Sequence, residues 1–248
     1  STAHSNNKYI FMGATFGFLC LTIPNFLILG LLFPFLFKFI CQSEEIQIKN
    51  IFFYFLFMSI PILFWVARNY IVFELFIPIS SVSGFNLFLG NSESASYNTG
   101  FYPLPQEINE YIASLNEFEK DKYFRSLAID WIFKNPSDFV ILYFFKFINF
   151  FNFTNDFSST NTSIIQSVVL FISYYSLLLL TILRLMIPIR ISNVEKIIYL
   201  FYFITAFVNA IFFTRIRYRI PFDVALMMPA LVALDYYIKL IFRKNVKT

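Results

Sequence analysis

Long apolar segments recur along the chain and constrain its fold more than any other feature. A helix needs about 20 residues to cross the roughly 30 Å hydrocarbon core of a bilayer. Residues 51–67, 165–187, 196–213 and 222–242 approach or reach that length. Hydrophobic residues make up 58% of the chain and charged residues only 14%, whereas soluble domains have about 25% charged residues. The sequence therefore predicts an all-α polytopic membrane protein.

The first apolar block, residues 9–41, is longer than one span and contains Pro24 and Asn25. Proline removes a helix donor and clashes with the preceding turn. We predict a hairpin of two short helices, 9–22 and 25–40, which brings the total to about six transmembrane helices. One long kinked helix is the alternative, since spanning helices tolerate proline.

Residues 68–164 are more polar, and we predict an outer-face region with interfacial helices. Three of the six glycines of the chain lie here, at positions 84, 90 and 100. Because glycine permits unusual backbone angles and close ligand approach, we predict a water-exposed pocket in a loop. Residues 108–134 have a rough apolar stripe that predicts one helix, and Asn135-Pro136 is expected to end it.

Residues 139–153 are apolar but too short to cross readily, and they include Lys146. A charge at the bilayer midplane costs several kcal/mol, so we predict an interfacial helix that does not cross. The later basic clusters, including a basic cytoplasmic tail, then fall on the inner side, as the positive-inside rule requires. Ser92 and Thr160 are expected outside, and Ser192 and Thr248 inside.

A basic cluster, Arg215, Arg217 and Arg219, remains on the outer side and precedes Pro221. Arginine binds phosphate with a planar fork of donors. If this stretch is extended, all three guanidinium groups point to one side; in a helix only the first and third share a face. A surface cluster that pairs with lipid headgroups or acidic residues is the alternative to a phosphate site. Asp223 is expected to pair with a neighbouring arginine.

Three groups of residues follow one another in a distinctive order. They are Trp65, Arg68-Asn69-Tyr70, Phe76-Ile77-Pro78, Gly84, Asn86-Leu87 and Gly90-Asn91; Arg125, Ala128, Ile132, Asn135-Pro136, Phe139 and Lys146; and Arg217-Tyr218-Arg219-Ile220-Pro221. They resemble motifs of bacterial membrane glycosyltransferases of family 39, in the GT-C superfamily, which include protein O-mannosyltransferases and the lipid A aminoarabinose transferase. The chain departs from the pattern at Val82-Ser83, at Ser92 and at Ile23, which stands where the family usually has a basic residue before the proline that is Pro24 here.

The resemblance implies an inner-membrane enzyme that moves a sugar from a polyprenyl-phosphate donor to an acceptor on the outer face. It implies a substrate- and phosphate-binding set: Arg68, Asn69, Asn86, Asn91, Lys146, Arg215, Arg217, Tyr218 and Arg219. The catalytic carboxylate of the family lies in an earlier outer loop, so an N-terminal remainder of the same protein is an expected partner, alongside the lipid bilayer. Glu93 is the nearest carboxylate candidate within this chain.

A non-catalytic carrier or assembly subunit for lipid-linked saccharides is the alternative, because it needs the phosphate-binding arginines and no carboxylate base. The chain begins at Ser1 within a polar stretch, and we expect it to lack transfer activity alone. Cys20 and Cys41 form neither a disulfide framework nor a metal pattern. The sequence assigns no metal ligands and no nucleic-acid partner.

Overall fold

The computed structural model describes residues 2–41, 47–98, 102–154 and 163–245. Within these ranges the chain forms ten helices and no strand, which confirms the predicted all-α class. The helices are α1 (Thr2–Thr22), α2 (Phe26–Cys41), α3 (Ile48–Phe73), α4 (Ser83–Gly90), α5 (Gln106–Ala113), α6 (Glu117–Lys134), α7 (Pro136–Asn149), α8 (Ile164–Met186), α9 (Asn193–Ile211) and α10 (Ile216–Asn245). The predictions for Gly100, Thr160 and Thr248 concern positions outside the described residues.

Four helices of the described residues are long and apolar enough to cross a membrane: α3, α8, α9 and the Ile216–Phe242 part of α10. The shorter α2 is also apolar. This supports a membrane protein, while the count of about six spans stays a prediction. The helix predicted over 51–67 is longer than expected, because α3 continues past Arg68 to Phe73. Glu74 then ends it in the left-handed conformation, with φ of 56°.

The chain forms two compact units. The first unit is Ser1–Ala95 with Phe101–Ile141, and the second is Ser96–Gly100 with Leu142–Thr248. Helices α1–α6 belong to the first unit, and α8–α10 belong to the second.

In the first unit, the apolar block breaks between α1 and α2, at 23–25, so the alternative of one long kinked helix is wrong. Helix α1 packs closely on α3. A side chain at Gly13 would meet the backbone carbonyl of Tyr54, and one at Gly17 would meet that of Met58. The hydroxyl of Tyr54 donates to the carbonyl of Gly30, at 2.9 Å, and so ties α3 to α2.

The predicted glycine-rich loop is wrong at two of its glycines, because Gly84 and Gly90 lie in helix α4. A side chain at Gly84 would collide with the backbone carbonyl of Asp121 on α6. The Asp121 carboxylate also accepts the backbone amides of Gly84, at 2.6 Å, and Phe85, at 3.1 Å. This glycine therefore permits close packing of two helices. Phe88 of α4 continues the contact against Phe124 of α6.

The single helix predicted over 108–134 is also wrong, because α5 ends at Ala113 and α6 starts at Glu117. Asn116 and Glu119 form a capping box in which each side chain accepts the other's backbone amide, both at 3.0 Å. Such a box starts a new helix. The predicted stop at Asn135-Pro136 is confirmed, and Pro136 is the first residue of α7, a position that suits proline.

In the second unit, a buried ion pair joins the end of α8 to the start of α9. The Arg184 guanidinium is 2.7 Å from the Glu195 carboxylate, and both side chains are almost fully buried. Arg184 also donates to the carbonyls of Ile189, at 3.1 Å, and Arg190, at 3.3 Å. Glu195 in turn accepts the backbone amide of Ser192, at 2.8 Å. The connection between the two helices is thus held by charged groups that satisfy one another.

Candidate functional site

The predicted site residue Arg68 lies at a cavity of about 670 Å³ in the first unit. Its guanidinium lies over two aromatic rings, 5.5 Å from the centre of Trp65 and 5.2 Å from that of Phe73. It donates to the side-chain oxygen of Asn69, at 3.0 Å. Asn69 is 2% exposed and donates to the carbonyl of Ile77, at 3.2 Å. Asn69 is therefore a buried hydrogen-bond partner that positions Arg68, and Arg68 itself is exposed and lines the cavity.

The rest of this cavity has an apolar part and a polar part. The apolar part is lined by Leu75, Ile77 and Ile79. The polar part is lined by Ser80, Ser81, Asn116 and Glu117. The Ser81 hydroxyl donates to the Glu117 carboxylate, at 2.7 Å. The polar part therefore offers hydrogen-bonding groups of both kinds to a ligand held at Arg68.

A second cavity of about 480 Å³ shares Trp65 and Arg68 with the first. Its other lining residues are all apolar and come from α1 and α3: Ala14, Phe18, Leu21, Phe57, Ile60, Pro61 and Phe64. We call it the apolar groove, and we call the cavity at Arg68 the polar cavity. Because both cavities are lined by Arg68, a cation lies between the apolar groove and the polar cavity, and we call the two together the amphipathic site.

The apolar groove was not predicted from the sequence, although a signal for it exists. Phe57, Ile60, Pro61, Phe64 and Arg68 follow the spacing of a single helix face. Arg68 is the last residue on that face, which is otherwise apolar. The partner helix could not be inferred in the same way, because the α1 face becomes visible only once the close packing at Gly13 and Gly17 is known.

Asn86 and Asn91 are predicted site residues on or beside α4, and neither lines the polar cavity. Asn91 is fully buried, follows the last residue of the helix and donates to the carbonyl of Leu87, at 2.8 Å. Its side chain therefore stabilises the end of α4. Asn86 is half-buried and lines neither the polar cavity nor the apolar groove.

In the second unit, Arg219 is 2% exposed and contacts four groups. It pairs with Asp223 at 2.9 Å, as predicted for that aspartate, and donates to the carbonyls of Phe150 and of Asn152, the latter at 2.8 Å. Its guanidinium carbon is 3.5 Å from the ring centre of Tyr174. These contacts occupy the guanidinium within the protein interior.

The alternative in which an extended backbone sends all three guanidinium groups to one side is wrong, because α10 begins at Ile216 and includes Arg217 and Arg219. Arg217 is exposed and donates to the hydroxyl of Tyr218, at 2.9 Å, whereas Arg219 points inward. Arg215 precedes the helix and lies 5.4 Å from the ring centre of Phe213. The three arginine side chains therefore do not share one side, as alternate residues of an extended backbone would.

Lys146 is another predicted phosphate ligand, and its side chain is fully buried in the second unit. Its ammonium donates to the carbonyl of Phe212, at 2.9 Å. It lies in the last turn of α7 and not at the centre of a helix over 139–153. Burial lowers the pKa of Lys146 to about 7, so the side chain is poorly suited to carry a charge to an external phosphate.

The predicted site residues thus fall into two sets. Arg68 and Asn69 belong to the first unit, whereas Lys146 and the three arginines belong to the second. Among the described residues no group of three or more His, Cys, Asp or Glu side chains could hold a metal ion. Glu93 is exposed and lines a different cavity from Arg68.

Comparisons with protein-family models, curated proteins and solved structures found no match to this chain.

Proposed function

We propose that this chain is the C-terminal membrane part of a glycosyltransferase of the cell (inner) membrane, and that Arg68 holds the phosphate of a polyprenyl-phosphate sugar donor. The observation that supports the proposal is the position of Arg68, where the apolar groove meets the polar cavity. A polyprenyl-phosphate sugar has the same three parts in the same order. Its prenyl chain suits the groove, its phosphate suits the guanidinium, and its sugar suits the polar cavity.

The physical fit has separate contributions from each part. Burying apolar surface of the prenyl chain contributes roughly 25 cal/mol per Å² relative to water, but most of that is also available in the bilayer. Specificity must therefore come from the head group. Charge-assisted hydrogen bonds to the guanidinium contribute about 1.5–3 kcal/mol each. One guanidinium nitrogen of Arg68 donates to Asn69, and the phosphate would accept from the others.

On this proposal the residues of this chain bind and orient the donor, and the N-terminal remainder of the protein supplies the carboxylate that deprotonates the acceptor hydroxyl. Transfer then takes place on the outer face of the membrane. A carrier or assembly subunit for lipid-linked saccharides is a second candidate. It is favoured by the same amphipathic site, since binding alone requires Arg68 and the groove and no catalytic base.

The two tryptophans of the chain allow a direct test of donor binding. Trp65 lies at the Arg68 site and Trp131 does not, so a Trp131→Phe variant reports on Trp65 alone. Titrating this variant in detergent with a polyprenyl phosphate is expected to give a saturable change in fluorescence. Adding Arg68→Gln should raise the Kd about ten-fold or more, the loss of one charge-assisted contact.

Two controls separate specific binding from partitioning into the detergent. The unphosphorylated polyprenol should give a much weaker response, since it lacks the anion. Lys122→Gln removes an exposed positive charge of the same unit that lines neither part of the site, and it should leave the Kd unchanged. Equal affinity for the phosphate and the alcohol, or an unaltered Kd in Arg68→Gln, would contradict the proposal.

A further inference from the structure

A separate cavity of about 280 Å³ lies in the first unit, away from Arg68 and the groove. Three stretches of chain contribute to it: the residues after α4, the residues leading into α5, and the end of α6. Its lining residues are Phe88, Ser92, Glu93, Ser94, Tyr102, Pro105, Ile108, Leu127, Asp130, Trp131, Lys134 and Asn135. None of them lines the polar cavity or the apolar groove.

The inner wall of this cavity is held by buried contacts. Ser92 is 8% exposed and hydrogen-bonds to the hydroxyl of Tyr102. That hydroxyl is also 3.2 Å from the carbonyl of Phe88. On the opposite side, the amide of Asn135 donates to the backbone carbonyl of Trp131, at 3.1 Å. The cavity is therefore already formed without a ligand.

Three charged side chains at the rim of this cavity have no partner among the described residues. Glu93, Asp130 and Lys134 are exposed, and within the described part of the chain none of their side chains makes an ion pair or a hydrogen bond. Asp130 and Lys134 are four residues apart on α6, a spacing that commonly gives an ion pair. Here the two side chains stay separate beside the cavity, where both can contact a ligand.

The chemistry of the lining restricts the class of ligand. Two carboxylates against one ammonium disfavour a phosphate or another anion, since like charges repel. A wholly apolar ligand would desolvate these charged groups without replacing their hydrogen bonds. The described residues contain no metal-ligating cluster of three side chains. A ligand with many hydroxyls and a partly apolar face meets all of these conditions.

We infer that this cavity binds one neutral sugar ring of a glycan, with the ring on Trp131 and its hydroxyls donating to Glu93 and Asp130. The indole offers a flat apolar face with a polar N–H at its edge. Carboxylates accept only, so each can take hydroxyl donors from the sugar, while Lys134 and Asn135 can donate to the sugar oxygens. The volume is below the usual range of about 300–1,000 Å³ for drug-sized ligands, which suits a single ring. This inference does not depend on the lipid site at Arg68.

The test again uses a single tryptophan. In a Trp65→Phe variant only Trp131 remains, so its fluorescence reports on this cavity and not on the donor site. Glucose, galactose, mannose and N-acetylglucosamine would each be titrated, with the acyclic polyol sorbitol as the control for hydroxyl groups without a ring. We expect at least one sugar to give a saturable change with a Kd in the millimolar range, and sorbitol to give none.

Variants at the rim then identify the contacts. Glu93 and Asp130 are exposed, so the Glu93→Gln and Asp130→Asn variants should fold normally. Each substitution should raise the Kd of that sugar about five-fold or more. Glu107→Gln removes an exposed carboxylate of the same unit that does not line the cavity, and it should have no effect. No saturable response to any of the four sugars, an equal response to sorbitol, or an unchanged Kd in both rim variants would overturn the inference. Each of these outcomes leaves the polyprenyl-phosphate titration of Trp65 unaffected.

Discussion

Replacing Arg219 with alanine is expected to destabilise the second unit by about 3–5 kcal/mol, the usual cost of breaking a buried ion pair from one side. The change leaves Asp223 without its ion partner and removes the donor to the carbonyls of Phe150 and Asn152. Thermal unfolding in detergent and the amount of protein in the membrane would both report the loss. This expectation replaces a role for Arg219 in binding phosphate from outside.

Arg217 provides the matched control for this experiment, because it lies on the same helix and is exposed. Arg217→Ala should change stability by no more than a few tenths of a kcal/mol, as most surface substitutions do. Arg219→Lys should recover part of the stability, since lysine keeps the charge but cannot match a planar fork. Equal stability of Arg219→Ala and Arg217→Ala would show that the buried network contributes little.

A second large effect is expected at the ion pair between α8 and α9. Arg184→Met alone leaves the Glu195 carboxylate buried without its guanidinium partner, and it should cost about 3–5 kcal/mol. Glu195→Leu alone should be similarly costly for the opposite charge. The double variant should lose far less stability than the sum of the two single losses. Replacing a whole buried pair with apolar groups is often close to neutral.

A double-mutant cycle of thermal unfolding measures this coupling directly. The two side chains are 2.7 Å apart and 2% and 4% exposed, so we expect a coupling energy above the usual 0.5–3 kcal/mol range. Lys196→Gln, an exposed charge next to Glu195 in sequence, serves as the control and should be nearly silent. Simple additivity of the two single variants would contradict the role given to the pair.

Local sequence signals predicted some of the helix breaks. Pro24 follows the end of α1 and Pro136 is the first residue of α7. Other prolines lie inside helices, so proline alone does not fix where a helix ends: Pro34, Pro61, Pro221 and Pro229. Asn116 and Glu119 also have the spacing of a capping box, and the apolar stripe over 108–134 continues across the break that this box marks. Signals that depend on one stretch of chain are therefore sufficient for much of the helix pattern.

The errors arise where a residue's role depends on a distant partner. Gly84 leaves room for the backbone of Asp121 on α6. The sequence does not show that α4 and α6 pack together. Lys146 donates to a carbonyl 66 positions away, and Arg219 donates to one 69 positions away in addition to its local pair with Asp223. Buried charges in membrane proteins commonly pair with other charges or with backbone carbonyls. Arg68 lines a cavity and its binding role stays a prediction, while the apolar groove beside it became visible only in the fold.

The most direct test of the account is to locate a bound lipid by photo-crosslinking. A polyprenyl phosphate with a diazirine on the prenyl units next to the phosphate would be irradiated with the purified chain, and the labelled peptides identified by mass spectrometry. We predict labels on the two faces of the apolar groove, within residues 14–21 and 57–68, reduced by excess unlabelled polyprenyl phosphate and by Arg68→Gln. Labels confined to α8 and α10, or labels on the groove that persist unchanged in Arg68→Gln, would contradict a phosphate site at Arg68.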